Sequence, residues 1–147
     1  MRFVHTNIVS TNWKELVDFY IKTFNCKIIP PQRNQSGEWL DKGTGLRSAQ
    51  LEGAHLLLPG HGENGPTLEI YQYKEIENQD FVPPNKRGFG HIAFEVERVE
   101  VVLEDLLKNG GSANGEITKR SVEGVGEITF VYARDPEGNL IELQSWK

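Results

Sequence analysis

Residues 89–97 read Phe89-Gly90-His91-Ile92-Ala93-Phe94-Glu95-Val96-Glu97. The β-branched and aromatic residues here predict a strand. Alternation puts Phe89, His91, Ala93 and Glu95 on one face and Ile92, Phe94 and Val96 on the other. A helix is predicted next, because Val99, Val102, Leu103, Leu106 and Leu107 recur at helical spacing until Gly110-Gly111 ends the run. The same order stands 86 residues earlier. Phe3 to Val9 reads as a strand, and Asn12 with Glu15 forms a capping box. Trp13, Leu16, Val17, Tyr20 and Phe24 then make one apolar stripe. His5 lies seven residues before Asn12, and His91 seven before Arg98, where the second helix begins. Two such units in one register read as an internal duplication.

The remaining segments fill in each half. Lys27-Ile28-Ile29 reads as a short strand stopped by Pro30-Pro31. Residues 32–46 are polar, hold Gly37, Gly43 and Gly45, and read as a long loop. Strands are predicted at 47–52, 54–58 and 67–73, with a turn from Gly60 to Pro66. In the second half they are predicted near 115–119, 126–133 and 139–146, with Asp135-Pro136-Glu137-Gly138-Asn139 as the last turn. Each half is therefore strand, helix, three strands. The expected class is α+β: a single domain over 1–147, built from modules 1–74 and 88–147 joined by the charged, Pro83-Pro84-bearing linker 75–87.

Composition narrows the function. With 37% apolar and 25% charged residues the chain is globular rather than disordered. No apolar run approaches the ~18–20 residues of a membrane span. Met1-Arg2-Phe3-Val4-His5 lacks the hydrophobic core of a secretory signal, so a cytoplasmic location is expected. The single cysteine, Cys26, excludes an intrachain disulfide framework and a zinc ribbon built from cysteines. A net charge of -5 argues against nucleic acid as a partner, since phosphate binding needs a basic face. A small-molecule substrate is the expected partner.

Strand alternation singles out four side chains. His91 lies on the face opposite Ile92 and Phe94, and His5 shares a face with Phe3 and Asn7. If Ile141 and Leu143 pack inward, Glu142 faces away from the core; if Leu68 and Ile70 do, so do Glu69, Tyr71 and Tyr73. Each half thus supplies one early histidine and one late carboxylate. Two imidazoles and two carboxylates suit one divalent transition metal with positions left for water or substrate oxygen. His55 and His61 read as turn or edge residues, and Cys26 as a buried inert thiol. Gly60-His61-Gly62 and Gly124-Val125-Gly126 read as turns, since neither lies between a strand and a helix.

His5-Thr6-Asn7, Asp18-Phe19-Tyr20, Gly88-Phe89-Gly90-His91-Ile92-Ala93-Phe94, Lys108-Asn109-Gly110-Gly111 and Asp135 through Leu143 together resemble the vicinal oxygen chelate superfamily, which includes glyoxalase I, methylmalonyl-CoA epimerase, extradiol dioxygenases and fosfomycin or bleomycin resistance proteins. The resemblance spans nearly the whole chain and is nearest to bacterial glyoxalase I. It implies two βαβββ modules whose curved mixed sheets form a cleft round one metal ion (nickel, zinc, cobalt, manganese or iron), with His5, Glu69, His91 and Glu142 as ligands. It further implies a lactoylglutathione lyase-like reaction on a hemithioacetal or related α-hydroxycarbonyl compound through an enediolate, with Glu142 as catalytic base and Glu69 as partner carboxylate. A homodimer is expected on the same ground. The alternatives are another metalloenzyme of the superfamily, an acyl-CoA epimerase or extradiol-type dioxygenase, or a protein that sequesters a small aromatic or antibiotic against Tyr71, Tyr73, Trp39 and Trp146. His5 and Glu69 are 64 residues apart against 51 for His91 and Glu142, so the first half carries extra chain, centred on 32–46, that would reshape or lid the cleft. Arg33, Arg47, Lys86 and Arg87 are candidate partners for a substrate's carboxylates, with none assigned.

Overall fold

The structure is a computed structural model that describes residues 1–77 and 81–147; Asn78, Gln79 and Asp80, within the expected linker, lie outside the described residues. The chain divides into two compact units, Met1–Asn78 and Gln79–Lys147. Both are mixed α+β units of the expected βαβββ kind.

The first unit runs β1 (His5–Val9), α1 (Trp13–Phe24), β2 (Lys27–Ser36), α2 (Glu38–Thr44), β3 (Gln50–Leu57) and β4 (Thr67–Tyr73). Its sheet has the order β1-β4-β3-β2, with β1 parallel to β4 and the other pairs antiparallel. Half of the expected capping box forms: the Asn12 side chain accepts from the Glu15 N–H and Asn12 Nδ2 donates to Glu15 Oε2 at 2.9 Å, but the Asn12 backbone N–H goes to Ser10 Oγ and not to Glu15. The helix ends at Asn25, left-handed at φ 55°, whose N–H donates to the Ile21 carbonyl. Its stripe of Leu16, Val17 and Tyr20 is buried against the even-numbered face of the sheet, where Ala54, Leu56, Leu68 and Ile70 are all but inaccessible.

Three expectations for this unit are corrected. The strand does not stop at Pro30-Pro31 but runs on to Ser36 with a register shift between Ile29 and Arg33. β2 is the outermost strand, where a proline's missing N–H interrupts no second ladder. Residues 47–58 give one strand rather than two, with Gly53 inside an unbroken register from Leu51 to Leu57. The expected loop 32–46 holds the end of β2 and all of α2. Asp41 anchors that short helix by accepting from the N–H groups of Ser48 and Ala49 at 2.9 and 2.7 Å, and Gly45 closes it in the left-handed region. Leu40 then packs with Ala49 and Leu51 against Tyr71 and Tyr73, on the sheet face opposite α1.

The second unit runs β5 (Ile92–Glu95), α3 (Val99–Lys108), β6 (Ser112–Ala113), β7 (Thr118–Val122), β8 (Gly126–Arg134) and β9 (Leu140–Trp146). The order is β5-β9-β8-β6, with β7 also on β8 and β5 parallel to β9. Val99 and Leu106 of α3 are buried with Val131, Ala133, Ile141 and Leu143. The predicted turn forms: Asp135 Oδ1 accepts from the N–H groups of Glu137 and Asn139, and Gly138 takes φ 88°. The strand expected from Phe89 begins only at Ile92. Ile92 pairs Ile141, so residues 89–90 would need partners at 138–139, which belong to that turn.

Register shows how deep the duplication goes. Asn7 lies opposite Glu69 as Ala93 lies opposite Glu142, and His55 lies opposite Glu69 as Tyr132 lies opposite Glu142. The second strand of each unit breaks at the same height, within β2 between Ile29 and Arg33 and between β6 and β7. Among the described residues no helix is long and apolar enough to cross a membrane.

Candidate metal centre

In the first unit His5 opens β1 and Glu69 sits at the middle of β4. Parallel pairing of these strands brings His5 Nδ1 to 3.3 Å from Glu69 Oε1. The Asn7 amide donates to the Glu69 backbone carbonyl at 3.3 Å. Glu69 is buried although charged, which requires partners. They come from the neighbouring strand. His55 Nε2 is 3.3 Å from Glu69 Oε1 and 2.5 Å from the Tyr71 hydroxyl. On its far side, His55 Nδ1 lies 3.3 Å from Arg33 Nη2. A guanidinium only donates, so Nδ1 is the accepting nitrogen and Nε2 carries the proton. The Tyr71 hydroxyl in turn hydrogen-bonds Glu69. Arg33, His55, Tyr71 and Glu69 thus form one directed chain ending on the carboxylate.

The electrostatics agree with this tautomer. Burial is the main force lowering the His55 pKa, opposed by the Glu69 charge and reinforced by Arg33 and His5. Burial and then the Glu69 charge push the Tyr71 phenol up to about 12. His55 and Tyr71 therefore both stay neutral at neutral pH.

The second unit repeats the plan in simpler form. His91, immediately before β5, has Nε2 at 2.9 Å from Glu142 Oε2 on β9. At the height where the first unit has His55 stands Tyr132, its ring centroid 4.9 Å from that of His91. Burial, then the Glu142 charge, raises the Tyr132 pKa. Each unit therefore presents one imidazole nitrogen and one carboxylate oxygen side by side, donors whose chemistry fits a divalent transition metal. In the first unit the half-buried Tyr71 hydroxyl and the His55 imidazole supply orienting partners for Glu69 of the kind such ligands need. Among the described residues, no group of three or more His, Cys, Asp or Glu side chains closes into a metal-holding cluster by itself. The donors stand as two pairs, one per unit.

The four residues singled out from the sequence thus meet as His5 with Glu69 and His91 with Glu142. His55 corrects the reading of it as a turn or edge residue, and Tyr71, Tyr132 and Arg33 join the same surroundings. The expected break at Gly53 hid His55: counted along one continuous strand from Leu51, it shares a face with Gly53 and opposes Glu69. Cys26 is buried, and burial pushes its thiol up to about 11, so it is no nucleophile at neutral pH. Tyr71 and Tyr73 pack against the α2 cluster, whereas Trp39 is exposed.

A two-unit βαβββ chain with a His–carboxylate pair at the same place in each repeat defines a class of protein. Residues 2–143 match the Glyoxalase/Bleomycin resistance protein/Dioxygenase superfamily, and the chain belongs to it. Among solved structures, a glyoxalase family protein from Bacillus cereus is similar at 24% identity and a TM-score of 0.79, over 99% of this chain and 93% of that one. A point mutant of glyoxalase I from Zea mays is similar at 22% identity and a TM-score of 0.66, over 97% of this chain and 44% of that one. A mutant of the fosfomycin resistance protein FosX from Listeria monocytogenes, complexed with Mn(II) and 1S,2S-dihydroxypropylphosphonic acid, is similar at 18% identity and a TM-score of 0.57, over 99% of this chain and 93% of that one. No curated protein matches the sequence.

Proposed function

We propose that the chain is a single glyoxalase-like domain in which His5 and Glu69 of the first module and His91 and Glu142 of the second hold one divalent metal ion. On this reading the protein is a glyoxalase I-like isomerase or lyase, converting a hemithioacetal or related α-hydroxycarbonyl compound through an enediolate. The observation that carries the reading is the recurrence of the His–carboxylate pair, at 3.3 Å in one unit and 2.9 Å in the other, on matching strands. The superfamily and the Mn(II) complex of FosX support a metal; nickel, zinc, cobalt, manganese and iron all suit these donors. A small-molecule substrate follows, and a cytoplasmic homodimer is part of the proposal.

The bound ion would acidify the substrate's carbon-bound proton and stabilise developing oxyanion charge. The chain's own groups then move that proton. Glu142 is the base: its Oε2 lies beside His91, and its charge, after burial, helps to keep the neighbouring Tyr132 phenol neutral. Glu69 is the partner carboxylate, its orientation fixed by His55 and Tyr71. A second reading has one observation in its favour. His55 is a neutral imidazole whose protonated Nε2 faces Glu69, placed to donate a proton or hydrogen bond in an epimerase or extradiol-type dioxygenase of the same superfamily.

The test is turnover of the methylglyoxal–glutathione hemithioacetal by chelator-stripped protein reloaded with nickel, zinc, manganese or ferrous iron. Metal-dependent thioester formation, lost by at least a hundredfold in Glu142→Gln, is expected from removal of a general base. Silence with every metal, despite stoichiometric metal uptake, would overturn the glyoxalase reading in favour of His55-dependent chemistry. Failure of the protein to take up any metal would overturn both.

A further inference from the structure

The two repeats share one register but not the same side chains, and the difference falls on their carboxylates. In the first unit one cross-strand row carries Arg33, Gly53 and Tyr71, and the next carries His55 and Glu69. The matching rows of the second unit are Thr118, Phe130 and Gln144, then Tyr132 and Glu142. Glu69 therefore has an imidazole, a phenol and a guanidinium where Glu142 has a phenol, an amide and a hydroxyl. Gly53 makes the first arrangement possible. A Cβ there would fall 2.7 Å from Tyr71 Cδ1, so the tyrosine ring lies close over the glycine where the second unit has Phe130.

The hydrogen-bonded chain in the first unit has a direction, and its outer end decides it. His55 and Tyr71 can each give or take a hydrogen bond, so the pair alone permits two arrangements. In one, His55 Nε2 carries the proton, Tyr71 accepts it at 2.5 Å, and the Tyr71 hydroxyl donates to Glu69. In the other, Nδ1 carries the proton, Tyr71 donates to Nε2, and Glu69 loses both donors. Arg33 Nη2, 3.3 Å from His55 Nδ1, permits only the first, because a guanidinium has five N–H groups and no acceptor. Arg33 is held from its other side by Nη1 donating to the Pro31 carbonyl. Among the described residues no carboxylate pairs with Arg33, so no ion pair draws it away from His55.

We propose that Arg33 is a positioning residue that sets the direction of the Arg33–His55–Tyr71–Glu69 chain and thereby holds Glu69 in the orientation that takes up the metal. This rests on the reading of Glu69 as a metal ligand. It also divides the labour of the two carboxylates. Glu69 is held by a chain of donors, whereas among the described residues no such chain reaches Glu142, which leaves that carboxylate free to turn as it moves a proton.

The test begins on metal-free protein with isotope-labelled histidine at pH about 8, above the ordinary imidazole pKa of about 6.5. Long-range proton–nitrogen correlations distinguish a protonated ring nitrogen from a bare one, and His55→Gln assigns the signals. Wild type should have a bare Nδ1 and a protonated Nε2 at His55. Arg33→Met keeps the aliphatic stem, removes the donors and should bring up the Nδ1-protonated form. Arg33→Lys, which also donates without accepting, should restore the wild-type pattern. Zinc affinity, read by chelator competition, should fall about tenfold in Arg33→Met and recover in Arg33→Lys, the range expected when a ligand's orienting partner is lost. Thr118→Val, at the matching exposed place in the second unit, should leave it unchanged. Identical His55 signals in wild type and Arg33→Met would overturn the proposal, and so would a changed tautomer with zinc affinity unaltered. A wild-type protein that takes up no metal would instead overturn the metal reading, a result told apart by His55 signals that still respond to Arg33.

Discussion

Replacing Gly53 by alanine tests how the first sheet builds the site. Gly53 lies on β3 opposite Tyr71, between two neighbouring strands. A Cβ there would fall 2.0 Å from the Ile70 carbonyl oxygen, 2.7 Å from Tyr71 Cδ1 and 2.9 Å from Tyr71 Cα. Ordinary contact needs about 3.4 Å or more, so backbone in a central ladder must part by over 1 Å. Overpacking of this kind costs about 1–3 kcal/mol. With backbone as the obstacle the upper end is expected, about 3 kcal/mol. At roughly 2–4 °C per kcal/mol for a chain of this size, Tm should fall by roughly 6–12 °C. Because Tyr71 is one of the groups displaced, its contact with His55 should loosen and its phenol should titrate nearer the ordinary value of about 10. Gly43→Ala supplies the control: inside α2, with nothing within 4 Å of a new Cβ, it should gain about 0.5–1 kcal/mol from helix propensity. Circular dichroism melts and an ultraviolet tyrosine titration read both effects. A Gly53→Ala protein melting within 2 °C of wild type would refute the steric argument, and an unchanged late tyrosine would refute its extension to the site.

Three further outcomes follow from local chemistry. Asn12→Ala removes the oxygen that accepts from the Glu15 N–H and should lower stability by about 1 kcal/mol in urea melts, with most of the loss recovered by Asn12→Ser, which keeps an accepting oxygen without a second carboxylate beside Glu15. Because the folded state holds the His55 pKa below its unfolded value, the unfolded chain binds the extra proton first. Stability should therefore fall as pH drops below about 6.5 and level off once the folded pKa is passed, and the part due to His55 should vanish in His55→Gln when urea midpoints are compared from pH 7.5 to 5. Arg134 is buried; it donates to Asn114 Oδ1, the Gly138 carbonyl and the Val82 carbonyl at 2.8, 2.6 and 2.9 Å, and lies 4.1 Å over the Phe81 ring. Arg134→Met leaves those acceptors without their donor and should cost about 3 kcal/mol, with faster hydrogen exchange at the Asp135–Asn139 turn as the local sign.

The duplication, both long helices and the four His–carboxylate positions were legible before any coordinates, because each rests on a period that a linear chain displays. Helical spacing marked Trp13 to Phe24 and Val99 to Leu107, and strand alternation separated Glu69 from Leu68 and Ile70. What the chain order did not display are features created when segments distant along it come together. The β2 strand survives Pro30-Pro31 because it lies at a sheet edge, a position only pairing defines. Helix α2 is too short to announce itself by periodicity and is held by Asp41 reaching Ser48 and Ala49. His55 joins Glu69 through cross-strand register, and its proton is placed by Arg33, 22 residues away. Local periodicity fixes which face a side chain takes. Register, fixed by the hydrogen bonds of whole strands, decides which residue it meets there.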